Sequence, residues 1–318
     1  MPDVLGIIAP IFLLIALGWG AVRWALYPAE GLPALGAFIV RFALPALLFN
    51  SVARRSVAEV LNPRYLAAYA AGSLVAFGAG VAWARWARGR PLDAAAMAGM
   101  GMSCANSAFI GLPVVLQVVG PEAAVALALT MMVENFLMIP LCLALADSAS
   151  HRHDPFWKAM LRAIAGLRRS PIVLAIFVGF AFALLPLRLP APVGRAVDLL
   201  AGASAAAALF YVGGTLAGLR VGALLGQSVV IALGKLVLHP LAVLVALLLA
   251  GPIAPPLQAS AVLLACAPML GIYPLLGQKY GHQGENAAAM LVCTAAAFFT
   301  MGAVIWGLQA SAIFGPLH

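Results

Sequence analysis

Apolar runs of about twenty residues, the length that crosses a bilayer's hydrocarbon core, follow one another along most of this chain. Charge clusters and Pro/Gly punctuation between them predict helices near 4–25, 32–52, 63–85, 93–120 and 121–147. A polar, basic stretch follows, and then helices near 171–187, 191–219, 222–250, 255–281 and 284–312. The fold class this predicts is an all-α polytopic membrane protein with ten transmembrane helices.

Composition agrees with a lipid solvent. Hydrophobic residues make up 64% of the chain and charged residues 9%, and mean hydropathy is +1.06. Soluble domains carry about a quarter charged residues. A net charge of +8 could suggest nucleic acid, but the basic residues sit mainly in short segments between apolar runs, as topology signals do. Nucleic acid is therefore excluded as a partner. The N-terminus lacks a basic region and a small-residue cleavage site before its first run, so 4–24 is expected to be a retained helix.

Placing Lys and Arg on alternate sides gives an asymmetry. Arg23, Arg85, Arg88, Arg90, Arg152, Lys158, Arg162, Arg168, Arg169, Arg220 and Lys279 share the side of the central loop. Arg54, Arg55, Arg64, Arg188 and Arg195 lie opposite. Positive charge is retained in the cytoplasm, so the loop 148–170 is expected to be cytoplasmic and both termini periplasmic, in a bacterial inner membrane.

The chain repeats itself at a constant offset of 161 residues. Pro10 to Trp19 (PIFLLIALGW) aligns with Pro171 to Phe180 (PIVLAIFVGF). Ala46, Leu48 and Phe49 align with Ala207, Leu209 and Phe210, and Pro113, Gln117 and Gly120 with Pro274, Gln278 and Gly281. With five spans in each copy, an odd number, the second must be inverted relative to the first. Inverted repeats are a signature of secondary transporters. The expected organisation is a first repeat over 1–147, a linker over 148–170 and a second repeat over 171–318.

The fourth span contains Asn106, Ser107, Gly111 and Pro113, and its repeat mate, the ninth, contains Pro268, Met269, Gly271, Tyr273 and Pro274. Proline removes a backbone donor and clashes with the preceding turn, and glycine tolerates unusual dihedrals. Both helices are therefore expected to break near mid-membrane. Unwound backbone at that depth needs protein or a wet cavity around it, and half-helix N-termini favour anions. A carboxylate is expected there, oriented by Asn106, with Arg41 of the second span as a further candidate. Arg41 could equally snorkel to the membrane face.

Ionisable groups inside spans are expensive and usually have partners. Glu134, beside Asn135 in the fifth span, and Lys235, a turn before His239 in the eighth, are opposite in sign. They are expected either to form a buried ion pair or to couple transport to protons.

Arg41-Phe-Ala-Leu-Pro45-Ala-Leu-Leu-Phe49, the stretch from Asn106 to Pro113, and Pro268-Met-Leu-Gly-Ile-Tyr-Pro274 together resemble the auxin efflux carrier family of bacterial permeases, relatives of the plant PIN-type auxin carriers. The resemblance covers essentially the whole chain. It implies a scaffold and a transport domain, crossed broken helices 4 and 9 as the site, and a small organic anion such as malonate, malate, lactate or auxin as substrate. The sequence departs from the family in having Met269 where an asparagine would stand, and no acidic residue between Arg64 and Arg85.

A cation–proton antiporter using Glu134 and Lys235 is the alternative. A membrane enzyme is excluded by the lack of HExxH. Ser228 and His239 lie eleven residues apart, about 16 Å along a helix, too far for proton transfer. No cofactor is implied. Cys104, Cys142, Cys266 and Cys293 read as buried thiols, and His151-x-His153 as part of a solvated linker without a third metal ligand. The expected partners are the carboxylate, the lipid bilayer and protons, with a homodimer allowed.

Overall fold

A computed structural model describes residues 4–54, 62–149, 169–185, 187–218 and 225–311, with isolated positions at 157–158, 160–161, 165 and 313–314. Most of the linker 148–170, including His151 and His153, lies outside them. Regular structure among the described residues is helical, apart from one isolated bridge between Ala105 and Met269. The helices are α1 (Val4–Arg23), α2 (Ala29–Ala53), α3 (Pro63–Ala87), α4 (Leu92–Ser103), α5 (Ser107–Val118) and α6 (Glu122–Ala149). Then come α7 (Pro171–Leu184), α8 (Ala191–Ala217), α9 (Gly226–Leu249), α10 (Pro255–Cys266), α11 (Tyr273–Gln278) and α12 (Gln283–Ser311). Six of them, α2, α3, α6, α8, α9 and α12, are long and apolar enough to cross a membrane by length and composition. The stretches 93–120 and 255–281 are each split into two helices.

Proline sets several of these boundaries. Pro63, Pro171 and Pro255 open their helices, where a missing N–H costs nothing and φ is already helical. At α3 the Asn62 side chain also accepts from Tyr65 N at 3.0 Å, a side-chain N-cap. Inside helices the residue acts differently. Besides Trp83–Ala87 at the end of α3, four wide π-turns span Ile39–Ala43, Ser107–Gly111, Glu134–Met138 and Gly234–Leu238. Each ends two residues before a proline: Pro45, Pro113, Pro140 and Pro240. The wider turn relieves the clash of the pyrrolidine ring with the carbonyl four residues back. All three charged residues expected inside spans stand in such turns: Arg41 third, Glu134 first and Lys235 second.

Small residues let the backbones touch, as membrane helices require. A Cβ on Gly18 of α1 would overlap the Phe210 carbonyl of α8, and one on Gly213 of α8 would overlap the Ile15 carbonyl of α1. On α7, a Cβ at Gly179 would stand 2.9 Å from Val52 and 3.3 Å from the Phe49 carbonyl of α2. Helices α1, α2, α7 and α8 form one packed group, with α1 on α8 and α2 on both α7 and α8. The rest gather around the two breaks: α3 on α4 and α9, α10 on α6 and α9, and α12 on α9 and α11. Leu13, Leu199, Leu249 and Phe299 project outward, an apolar periphery suited to lipid and not to water.

Candidate functional site

The two interruptions meet. After Ser103 the chain leaves helical geometry at Cys104 (φ −95°, ψ 125°) and resumes after Asn106. After Cys266 it extends at Ala267 (φ −59°, ψ 145°) and resumes at Tyr273. Asn106 N donates to Pro268 O at 2.7 Å, and Leu270 N donates to Cys104 O at 3.2 Å. This short antiparallel pairing satisfies one N–H and one C=O of each break. It is the condition for unwound backbone to persist in the membrane interior.

The sites expected from sequence divide into two kinds. Gly111, Pro113, Pro268, Met269 and Tyr273 are buried and shape the breaks. Pro113 lies more than a turn into α5, just after its opening π-turn, and Pro274 lies in the first turn of α11. The Tyr273 hydroxyl is spent on Met97 O at 2.9 Å, and its carbonyl accepts from Asn286 Nδ2 at 3.2 Å. Asn106 and Gly271 are the second kind. Asn106 is buried but for 7% of its surface, its side-chain amide makes no hydrogen bond among the described residues, and it faces Gly271, where a Cβ would stand 3.5 Å from Nδ2. Gly271 and Ile272 are exposed. Arg41 is exposed in its π-turn and has no ion-pair or hydrogen-bond partner among the described residues.

The expected Glu134–Lys235 ion pair is not formed; each charge is committed to a different break. Glu134, 3% exposed, accepts on Oε1 from Ala105 N at 3.1 Å and from Ser107 Oγ at 2.9 Å. Lys235, fully buried, donates to Ala265 O at 2.6 Å and shares a 2.9 Å hydrogen bond with His239 Nδ1. The reason is the polarity of helix ends. The carboxylate sits where α5 begins, the positive end, and the ammonium where α10 finishes, the negative end. Asn135, expected beside Glu134 in function, donates to Met131 O of its own helix at 2.8 Å.

Three polar groups were not anticipated as a set. His239 Nε2 lies 3.0 Å from Ser73 Oγ, and the Tyr69 ring stands edge-on to the His239 ring at 5.8 Å. Tyr69 is fully buried, and its hydroxyl has no hydrogen-bond partner among the described residues. It lies toward Ser107 and Glu134 without reaching bonding geometry. The sequence signal is the spacing Tyr65, Tyr69, Ser73, which puts all three on one face of α3. Tyr65 is satisfied by Thr130 Oγ1 at 2.9 Å and Ala126 O at 3.2 Å.

Below the second break, a cavity of about 30 Å³ is lined by Arg90, Met97, Ser228, Tyr273, His282 and Glu285 among others, room for water and little more. Arg90 pairs there with Glu285 at 2.6 Å. The four cysteines are free and buried.

The membrane transport protein family matches residues 3–306. A protein of Rhizobium meliloti (strain 1021) named "Putative malonate transporter" is 33% identical over 297 residues, covering 92% of each chain. Two proteins of Oryza sativa subsp. japonica are similar over shorter stretches. "Probable auxin efflux carrier component 5c" is 32% identical over 44% of this chain and 40% of its own, and "Probable auxin efflux carrier component 9" is 34% identical over 28% and 21%. With paired broken helices in an apolar helical body and a family match over nearly its whole length, this chain belongs to the auxin efflux carrier family of membrane transporters.

Proposed function

We propose that the protein carries a small organic anion, a mono- or dicarboxylate, across the bacterial inner membrane by alternating access, binding it where the two breaks meet. The observation that carries this reading is the Asn106 amide: partly accessible, without a protein partner, beside the open Gly271 backbone at the start of α5. A carboxylate there gains an amide donor and the unsatisfied N–H groups of the helix's first turn. The name of the Rhizobium relative, over nearly full length, supports a dicarboxylate.

The architecture in this reading is ten spans in two inverted repeats, 1–147 and 171–318, joined by a cytoplasmic linker with both termini periplasmic. Two sets of repeat-related details support it. Gly120 and Gly281, aligned in the repeat, both take left-handed φ (+87° and +79°) just after the half-helices that contain Pro113 and Pro274. The approach of Gly18 to the Phe210 carbonyl is mirrored by that of Gly179 to the Phe49 carbonyl, each residue exchanged for its repeat mate. Helices α1, α2, α7 and α8 would then be the scaffold, and the remainder the moving domain. The antiporter reading has less support, since Asn135 is bonded to its own helix and Glu134 has one uncommitted oxygen to offer a cation.

The test is Asn106→Ala in purified protein screened against mono- and dicarboxylates. In the wild type, the right anion at a hundred times its Kd should add about 2.7 kcal/mol of stability, and the variant should lose that increment and the corresponding uptake into liposomes. Uptake by Asn106→Ala equal to wild type would remove the site from the breaks.

A further inference from the structure

We propose that a proton travels with the carboxylate: Glu134 must be protonated for the anion to bind, so the protein is a one-to-one proton–carboxylate symporter. The inference rests on the reading of the breaks as the substrate site, and it names the coupling ion.

Glu134 already occupies the chemical position of an anionic ligand. Its Oε1 holds the Ala105 amide and the Ser107 hydroxyl at the positive end of α5, one residue to either side of Asn106. No cation lies within ion-pair distance among the described residues, because Lys235 is committed to Ala265 and His239. A second carboxylate brought beside Asn106 would therefore meet a buried like charge, and two such groups in one site cannot both stay ionised. The substrate keeps its charge in water, so the group that must give way is Glu134.

The neighbours show where the proton would go. From α3, Tyr65 and Tyr69 face Glu134; from the first break, Cys104 and Ser107; from α9, at longer range, Lys235; and from its own helix, Thr130. Tyr65 is spent on Thr130 and Ala126. Tyr69 is the member of this set whose hydroxyl, fully buried, lacks a partner. Oε2, the carboxylate oxygen without a hydrogen bond among the described residues, takes the proton, while Oε1 keeps accepting from Ala105 and Ser107. The proton is taken from water on the side to which the breaks are open, and is returned to water on the other side when the anion leaves. No bond other than this O–H is made or broken.

The experiment is calorimetric titration of the purified wild type at pH 7.5 with malonate first and then a panel of mono- and dicarboxylates. It is repeated in two buffers of different ionisation heat, so that the protons bound per anion are counted directly. One proton taken up per anion is expected, with affinity falling as pH rises, by up to about tenfold per unit. Glu134→Gln, whose amide can bond as the neutral acid does, should bind the same anion with no proton uptake and an affinity flat in pH. Wild type binding an anion with no proton uptake overturns the proposal and leaves the substrate reading standing. So does a Glu134→Gln protein that retains the pH slope. If no carboxylate binds the wild type at any pH, or if Asn106→Ala binds as well as wild type, the substrate reading fails and the proposal with it. The proton count on the wild type needs no variant, so misfolding of Glu134→Gln leaves the test intact.

Discussion

Lys235→Met isolates what the buried ammonium contributes. Methionine matches the length and apolar stem of lysine, so the change removes the charge and its donors while leaving little void. Two polar atoms lose their partner: the Ala265 carbonyl, bonded at 2.6 Å, and His239 Nδ1, at 2.9 Å. Lys235 and His239 are both fully buried, so water cannot replace the lost bonds. A buried group left unsatisfied costs about 1–3 kcal/mol, and two of them about 2–6 kcal/mol. The substitution also relieves the cost of burying the amine itself, so we expect a net loss of about 2–4 kcal/mol. Equilibrium unfolding of purified protein in mixed micelles would measure it. Lys279→Met is the control, since Lys279 pairs with Asp147 but its side chain is 55% exposed, and such surface pairs contribute about 0–1 kcal/mol. A Lys235→Met protein no less stable than Lys279→Met would refute the claim that the ammonium holds the end of α10.

Other substitutions probe the same architecture. Gly213→Val should force α8 away from the Ile15 carbonyl and cost more than 2 kcal/mol by the overpacking range of about 1–3 kcal/mol plus backbone displacement; a well-folded, fully stable variant would contradict the close approach. Tyr273→Phe removes the bond to Met97 O and should cost about 1–3 kcal/mol of stability while leaving anion affinity in the titration unchanged; an affinity loss would bring Tyr273 into the binding surface. Gly277→Ala places a Cβ against the Asn286 amide, which should release that amide from the Tyr273 carbonyl and lower thermal stability, whereas Gly284→Ala, with open space around it, should not.

Much of the fold could be read from sequence because lipid imposes few solutions. Apolar runs of spanning length must be helical, and Gly111-x-Pro113 and Gly271-x-x-Pro274 announce interruptions in two of them. What the sequence could not convey was how the interruptions satisfy each other. The bonds from Asn106 N to Pro268 O and from Leu270 N to Cys104 O join segments more than 160 residues apart, and nothing in the identity of either residue encodes a backbone partner. Tyr69 escaped notice because a tyrosine in an apolar helix ordinarily reads as core; only its unpartnered hydroxyl distinguishes it.

Of the two roles expected for Glu134 and Lys235, a direct ion pair is absent because each charge has another partner, and the reason is instructive. Opposite charges in a low-dielectric interior attract strongly, which makes a direct pair the natural guess from sequence. A membrane protein with broken helices offers those charges other partners. An interrupted helix exposes fixed partial charges of about half a unit at each end, positioned by backbone that cannot move away. A carboxylate at the start of α5 and an ammonium at the finish of α10 each neutralise one such end, and each gains a hydrogen bond to the peptide group stranded there. A direct pair would have left both stranded groups, Ala105 N–H and Ala265 C=O, to find other partners. Where a sequence places isolated acidic and basic residues in helices that flank Gly/Pro breaks, the exposed helix ends are therefore the first partners to consider, and the sign of each residue indicates which end it holds.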